Sequence, residues 1–151
     1  MKKRFFILLL TSTFFFMMTK ADAQFRRIPG TVTDSFKLKY PAAKSVEWED
    51  GITSFKATFI LDNDKYTARY SSKGEWQGSQ KKIKFDDVPV SVKDGLSKSK
   101  YAGEWKTGTV TARYLPRDII QYNIVVYKGD LQKKNLLFSS EGQLLKDSTT
   151  L

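Results

Sequence analysis

The chain contains no cysteine and no histidine among its 151 residues. Without these residues it can form neither a Ser-His nor a Cys-His nucleophilic system, and the usual ligand sets for zinc, copper and haem are missing. An exported fold without cysteine also has no disulfide bonds, so its hydrophobic core must hold it together. We therefore expect a protein that is not an enzyme, with no catalytic residues, no cofactor and no metal site.

The remaining polar motifs are typical of turns. Ser71–Ser72 and Ser139–Ser140 each stand beside a glycine, where serine commonly hydrogen-bonds to the backbone. Asp62–Asp64 resembles the start of an EF-hand loop, but the glycine and the distal glutamate of that loop are missing, which favours a hairpin turn. Because serine and lysine are abundant, a Ser-Lys dyad is kept as an alternative.

Residues 1–23 have the three parts of a secretory signal peptide. Lys2–Arg4 is basic, Phe5–Thr19 is apolar, and Ala21–Ala23 has the small-x-small pattern of a cleavage site. The apolar run of about fifteen residues is shorter than the roughly twenty of a spanning helix. We predict cleavage after Ala23, a periplasmic or secreted protein, and no transmembrane segment in the mature chain; a retained anchor is the alternative.

The remaining residues, 24–151, are enough for one domain. They include 22 basic and 15 acidic residues, a net charge of +7, which favours anionic partners without selecting one. The lysines at 81–84 and 133–134 are not interleaved with aromatic residues, so nucleic acid is not expected as a partner. Protection of exposed sheet edges by lysine is a second interpretation of these clusters.

Two turn sequences, YSSKGEW at 70–76 and FSSEGQLL at 138–145, are nearly alike. Gly74 and Gly142 are expected to supply positive φ in the two turns. Strict alternation of apolar residues precedes each turn and predicts half-buried antiparallel strands. The alternating residues are Phe55, Ala57, Phe59, Tyr66, Ala68 and Tyr70 in the first part and Tyr122, Ile124, Val126, Leu136 and Phe138 in the second.

A proline followed by helical spacing also occurs twice. Pro29 and Pro89 suit helix starts, and Thr31 or Ser91 could cap the helices. Tyr40–Pro41 is expected to end the first helix, because the residue before proline avoids helical geometry.

The repeated order of proline, tryptophan, alternating strands and turn predicts a duplicated unit. The expected fold class is α+β, with two tandem helix-plus-antiparallel-sheet units, repeats 28–84 and 88–146, in a single domain. The second repeat has about ten extra residues, Thr109–Ile120, expected to form a longer strand pair or a protruding loop that bends at Pro116–Asp118.

These paired motifs resemble the PepSY-like family of exported bacterial proteins, which is described as β-lactamase-inhibitor-like. They run from Ile28 to about Lys146, although Tyr101–Ala102 replaces the Tyr-Pro pair in the second repeat. The resemblance implies tandem α+β units and an exported, non-catalytic role.

One face of the predicted sheet is expected to stay exposed if the helices cover the other. Its mixture of polar, branched and aromatic residues suits protein recognition, although antiparallel sheets often leave one face in solvent. We predict an exported binding or inhibitory module of the bacterial cell envelope that recognises a protein or peptide through this face. The alternatives are a binder of an anionic envelope component through basic loops and an unrecognised hydrolase. The candidate partner-binding residues are Lys56, Thr58, Arg69, Asn123, Val125 and Tyr127.

Overall fold

A computed structural model describes residues 27–149, and the predicted signal peptide lies outside them. No helix in this part of the chain is long and apolar enough to cross a membrane. The elements in chain order are α1 (Gly30–Lys39), β1 (Lys44–Asp50), β2 (Ser54–Leu61), β3 (Asp64–Ser71), β4 (Trp76–Ile83), a 3₁₀ turn (Phe85–Asp87), α2 (Val90–Ser97), β5 (Lys106–Leu115), β6 (Ile119–Lys128), β7 (Gln132–Ser139) and β8 (Leu144–Thr149).

The eight strands form one antiparallel sheet in which each strand is hydrogen-bonded to the next along the chain. The prediction of two tandem helix-plus-antiparallel-sheet units is therefore wrong, because β4 pairs with β5 and joins all the strands into a single, mostly β structure with two short helices. The sequence of β4, WQGSQKKI, shows why this pairing was missed. Its residues are largely polar and carry no apolar alternation that would mark a central strand.

Two hydrophobic clusters lie on the same face of this sheet. Val32 and Phe36 of α1 pack against β2 and β3, whereas Val92 and Leu96 of α2 pack against β5, β6 and β7. The middle of the sheet lies between the two clusters, and there Lys81 of β4 faces the helix side. The charged Lys81 is tolerated at this position because its ammonium group pairs with the carboxylate of Asp64 on β3.

The alternating apolar residues predicted from the sequence do face the helices. Phe55, Phe59, Ile124 and Leu136 are each at most 1% exposed, and Tyr66 and Tyr122 are half-buried. Residues Thr109–Ile120 lie in β5, the connecting turn and β6, and these strands of ten residues each confirm the predicted longer strand pair rather than a protruding loop. Arg117 and Asp118 have φ of 64° and 57° in the connecting turn, at the predicted bend.

The helix starts differ from expectation. Pro29 and Pro89 occupy the N-cap positions and no side chain caps either helix, so the prediction of capping by Thr31 or Ser91 is wrong. Both residues lie within the first helical turn instead. The hydroxyl of Ser91 donates a hydrogen bond of 2.6 Å to the carbonyl oxygen of Ser140, and this bond ties α2 to the turn between β7 and β8.

The two similar turn sequences have similar structures. Gly74 and Gly142 have φ of 87° and 89°, which confirms the predicted positive φ. The amide of Gly74 donates to the carbonyl of Ser71, and the amide of Gly142 donates to that of Ser139. Both turns also lie against the first turn of a helix, so the repeated sequence is explained by contact with α1 and α2 as well as by turn geometry.

Candidate functional site

The sheet face opposite the helices, called the outer face here, is strongly basic. No other element of the described chain covers it. Its strand positions hold nine lysines and arginines but only two glutamates, as the register shows. The cations are Lys44, Lys56, Lys65, Arg69, Lys82, Lys106, Arg113, Lys133 and Lys146, and the glutamates are Glu47 and Glu49.

All six candidate residues lie on the outer face, in two separate groups. Lys56 lies opposite Arg69 and forms an ion pair of 2.7 Å with Glu49, while Thr58 lies one alternate position further along β2. The other group, Asn123, Val125 and Tyr127, lies along β6, three strands from β3.

Arg69 and Tyr127 stand at opposite ends of the outer face. From about 3.3 Å per residue and about 4.8 Å between strands, we place them roughly 30 Å apart. The ring of Tyr127 lies over Gly108, where a Cβ would come within 2.8 Å of Cε1, and the tyrosine is 39% exposed. Because of the distance between them, Arg69 and Tyr127 cannot both contact one small group of a partner.

Arg113, which sequence reasoning missed, lies much closer to Arg69. The two side chains line a cavity of about 80 Å³, here called the arginine notch, together with Thr67, Gln80 and Leu115. This volume is well above the roughly 10–15 Å³ that a cavity needs to hold one water molecule, which leaves room for a carboxylate. Neither arginine makes an ion pair with another described residue.

Gly78 provides the floor of the arginine notch. It has φ of 137° at an irregularity in the pairing of β3 and β4. A Cβ at this position would lie 3.0 Å from both Leu115 Cδ2 and the carbonyl oxygen of Tyr114. The notch is therefore open at the position opposite Arg69, because Gly78 has no side chain.

Two further hollows adjoin the notch. The lysine hollow, of about 380 Å³, shares Thr67 and Gln80 with the notch and contains Lys65 and Lys82. The edge hollow, of about 290 Å³, shares Arg113 and is completed by Asn123, Asn135, Leu137, Lys146 and Ser148. No carboxylate lines any of the three cavities. Together they form a continuous cationic surface across β3 to β8.

Lys81, on the helix side of β4, is by contrast neutralised within the fold. Lys81 Nζ lies 2.6 Å from the carboxylate of Asp64. This hydrogen bond, followed by one to Tyr66, raises the pKa of Lys81 above its usual range. The outer-face arginines have no such internal acid.

On the helix side, a cleft of about 380 Å³ is lined in part by Tyr40, Tyr66, Trp76 and Tyr114. Lys39 Nζ lies 3.8 Å from the centre of the Trp76 ring and covers it. Burial raises the pKa of the Tyr40 hydroxyl. Among residues 27–149, no group of three or more acidic side chains could hold a metal ion.

Comparison with known proteins relates the chain to solved structures only. No protein-family model matches it, and no curated protein does. A DUF2874 family protein from Bacteroides ovatus ATCC 8483 is 24% identical, with a TM-score of 0.76 over 82% of this chain and 89% of that one. A BLIP-like protein from Bacteroides fragilis NCTC 9343 is 21% identical, with a TM-score of 0.77 over 85% and 91%.

A third structure, of a protein provisionally described as periplasmic from Bacteroides eggerthii DSM 20697, is 22% identical, with a TM-score of 0.73 over 82% of this chain and 90% of that one. At these identities the likeness is one of fold. The chain has the BLIP-like fold, which agrees with the β-lactamase-inhibitor-like part of the resemblance found in the sequence.

Proposed function

We propose that the protein is an exported, non-catalytic binding module of the bacterial cell envelope that recognises a protein or peptide through its outer face. The observation that carries the proposal is the uncovered outer face, on which cations alternate with amides and hydroxyls and three hollows adjoin one another. The fold shared with a BLIP-like protein and with one provisionally described as periplasmic supports it.

The size of the outer face is adequate for this role. The seven spacings of about 4.8 Å between the eight strands, each about 26 Å long, give a surface of roughly 900 Å². A standard protein–protein interface buries about 800 Å² on each partner. One protein partner of ordinary size could therefore cover the face.

We also propose that the chain is a PepSY-like protein whose two repeats, 28–84 and 88–146, arose by duplication. The support is that each helix is followed by four strands in the same order, and that Gly74 and Gly142 occupy similar turns. In this proposal the repeats combine into one sheet rather than two.

Export is tested at the proposed cleavage site. We expect the mature chain to begin at Gln24, because Ala21–Ala23 offers small residues to the peptidase. Ala23→Arg should leave uncleaved precursor at the membrane. N-terminal sequencing of the exported protein is the measurement, and a chain that keeps Met1 would contradict the proposal.

Recognition through the outer face is tested by changing both of its ends. Arg69→Ala combined with Tyr127→Ala should weaken binding by about 2 kcal/mol or more, the scale of interface hot spots. Thermal stability should change little, because both side chains are exposed. A partner captured from envelope extract by the mature protein is purified, and its dissociation constant is measured with wild type and variant.

The matched control removes two exposed side chains from the helix side. Lys37→Ala with Leu38→Ala on α1 should leave the affinity unchanged, since Leu38 is 87% exposed and far from the outer face. If the outer-face variant binds the partner as tightly as wild type, or if the control variant loses as much affinity as the outer-face variant, the proposed face is not the binding surface.

A further inference from the structure

We infer that the partner presents acidic side chains, and that Arg69 and Arg113 together hold one of its carboxylates in the arginine notch. The inference rests on the proposed function and specifies the chemistry of the partner.

The positions of the two arginines favour shared recognition of one group. Arg69 on β3 lies opposite Gly78 and Arg113 on β5 lies opposite Gln80, so the two arginines flank β4 at roughly 12 Å, two strand spacings across the sheet and two residues along it. Both side chains line the same cavity, whose floor is the backbone of Gly78. Each guanidinium offers a planar set of donors that matches a carboxylate in a forked hydrogen bond.

The charges around the notch also favour an anion. Glu47 and Glu49, the only acids on the strand positions of the described outer face, lie on β1 at the sheet edge, and Glu49 already pairs with Lys56. The two arginines therefore repel one another and the nearby lysines, and no acidic side chain in the notch offsets this repulsion. A carboxylate placed between them relieves this repulsion, and the resulting potential also attracts acidic partners from a distance.

The adjoining hollows indicate a polypeptide rather than another polyanion. They continue the cationic surface on both sides of the notch, and their amides and hydroxyls, such as Gln80, Thr111 and Asn123, can bond to peptide groups. Tyr127 is the only aromatic residue on the described outer strand positions, so the face has no series of rings on which bases could stack.

The test uses the mature protein and a labelled peptide of about ten alternating Glu and Ser residues, long enough at about 3.3 Å per residue to cover adjoining hollows. Fluorescence anisotropy gives its affinity, and a Gln-Ser peptide of equal length should bind at least about tenfold more weakly because charge-assisted hydrogen bonds are lost. Arg69→Gln with Arg113→Gln should weaken binding of the acidic peptide about tenfold or more.

Two controls separate the notch from general charge attraction. Lys37→Gln with Lys84→Gln removes the same net charge from exposed positions on α1 and beside the 3₁₀ turn, and should change the affinity less than about twofold. Arg69→Lys with Arg113→Lys keeps the charge but loses the planar forks, and should weaken binding about threefold or more.

Several results would overturn the inference. One is that the lysine double variant loses as much affinity for the acidic peptide as the arginine double variant does. Another is that the Gln-Ser peptide binds as tightly as the acidic peptide. The third is that phosphatidylglycerol vesicles or heparin bind in an arginine-dependent way while the acidic peptide does not bind. If the peptide fails to bind but the variant Arg69→Ala with Tyr127→Ala still binds the captured partner more weakly than wild type, the inference fails and the proposed function stands. If the affinity for that partner is also unchanged in this variant, the inference and the proposed function both fail.

Discussion

Replacing Gly142 by alanine is expected to lower the free energy of unfolding by about 2–5 kcal/mol, from left-handed strain of about 1–2 kcal/mol and overpacking of about 1–3 kcal/mol. A Cβ at this position would lie 2.1 Å from the carbonyl oxygen of Ser91 and 2.7 Å from its carbonyl carbon. Both atoms belong to the backbone of α2 and cannot move aside as a flexible side chain would. The helix or the turn must shift, which disturbs the packing of Val92 below it.

The chain offers matched controls for the two contributions. Gly103 has φ of 83°, close to that of Gly142, but a Cβ there would meet nothing within 4 Å. Gly103→Ala should therefore show the strain alone, about 1–2 kcal/mol. Gly95 lies inside α2, and its Cβ would come 2.0 Å from the Gly142 carbonyl oxygen. Gly95→Ala should show the close contact without the left-handed strain.

Urea unfolding of the three variants measures these differences. A Gly142→Ala protein no less stable than the Gly103→Ala protein would mean that α2 does not press on the turn between β7 and β8. The same contact explains why similar turn sequences occur in both halves of the chain. At Gly74, a Cβ would lie 2.7 Å from the carbonyl oxygen of Thr31 in α1.

Sequence patterns predicted the direction of side chains well but not the connection of the strands. In β2, β3, β6 and β7 one face is packed under a helix, so alternation is strict and the buried residues could be listed correctly. The pairing of β4 with β5 has no such signal, because Ser79 and Lys81, the residues of β4 that face the helix side there, are polar. The sequence therefore predicts two helix-plus-sheet units, whereas the structure joins all eight strands into one sheet.

In the candidate site, too, sequence alternation predicts the face on which a residue lies but not its neighbours across the sheet. Alternation assigned Arg69 and Tyr127 to one face, but distance across a sheet depends on the full set of strand pairings. The sequence does not single out Arg113, because the repeat pattern makes Thr109–Ile120 an extra segment rather than parts of β5 and β6. Its alternation with Thr111 along β5 is a signal that could have placed it on the outer face.

Replacing Ile124 by aspartate is expected to unfold most of the protein at neutral pH. Ile124 is fully buried and lies between Val110 and Leu136 on the neighbouring strands, so the introduced carboxylate would have no partner. Burial of an unpaired charge costs several kcal/mol, about as much as the 5–15 kcal/mol of total stability that domains possess. Val126 is a weaker test position, because Lys134 lies opposite it on β7.

Val125→Asp is the control, since it introduces the same group at the next residue of β6. Val125 points to the outer face, opposite Asn135, and is only half-buried. Its replacement should cost no more than about 1 kcal/mol, the range of strand propensities. Far-ultraviolet circular dichroism during urea titration compares the two variants, and similar midpoints would contradict the assignment of the two faces.

The pH dependence provides a second measurement for the Ile124→Asp variant. Burial raises the pKa of the introduced carboxyl in the folded state above the value of about 3.9 in the unfolded chain. The folded state then binds the proton more readily, so the destabilisation is complete above the raised pKa and shrinks as the pH falls through it. We expect the gap in stability between Ile124→Asp and wild type to narrow from pH 7 towards about pH 4, while the gap for Val125→Asp stays constant over the same range. A gap for Ile124→Asp that did not narrow would mean that the carboxylate reaches solvent, and that the helix side of β6 is open where the structure shows it closed.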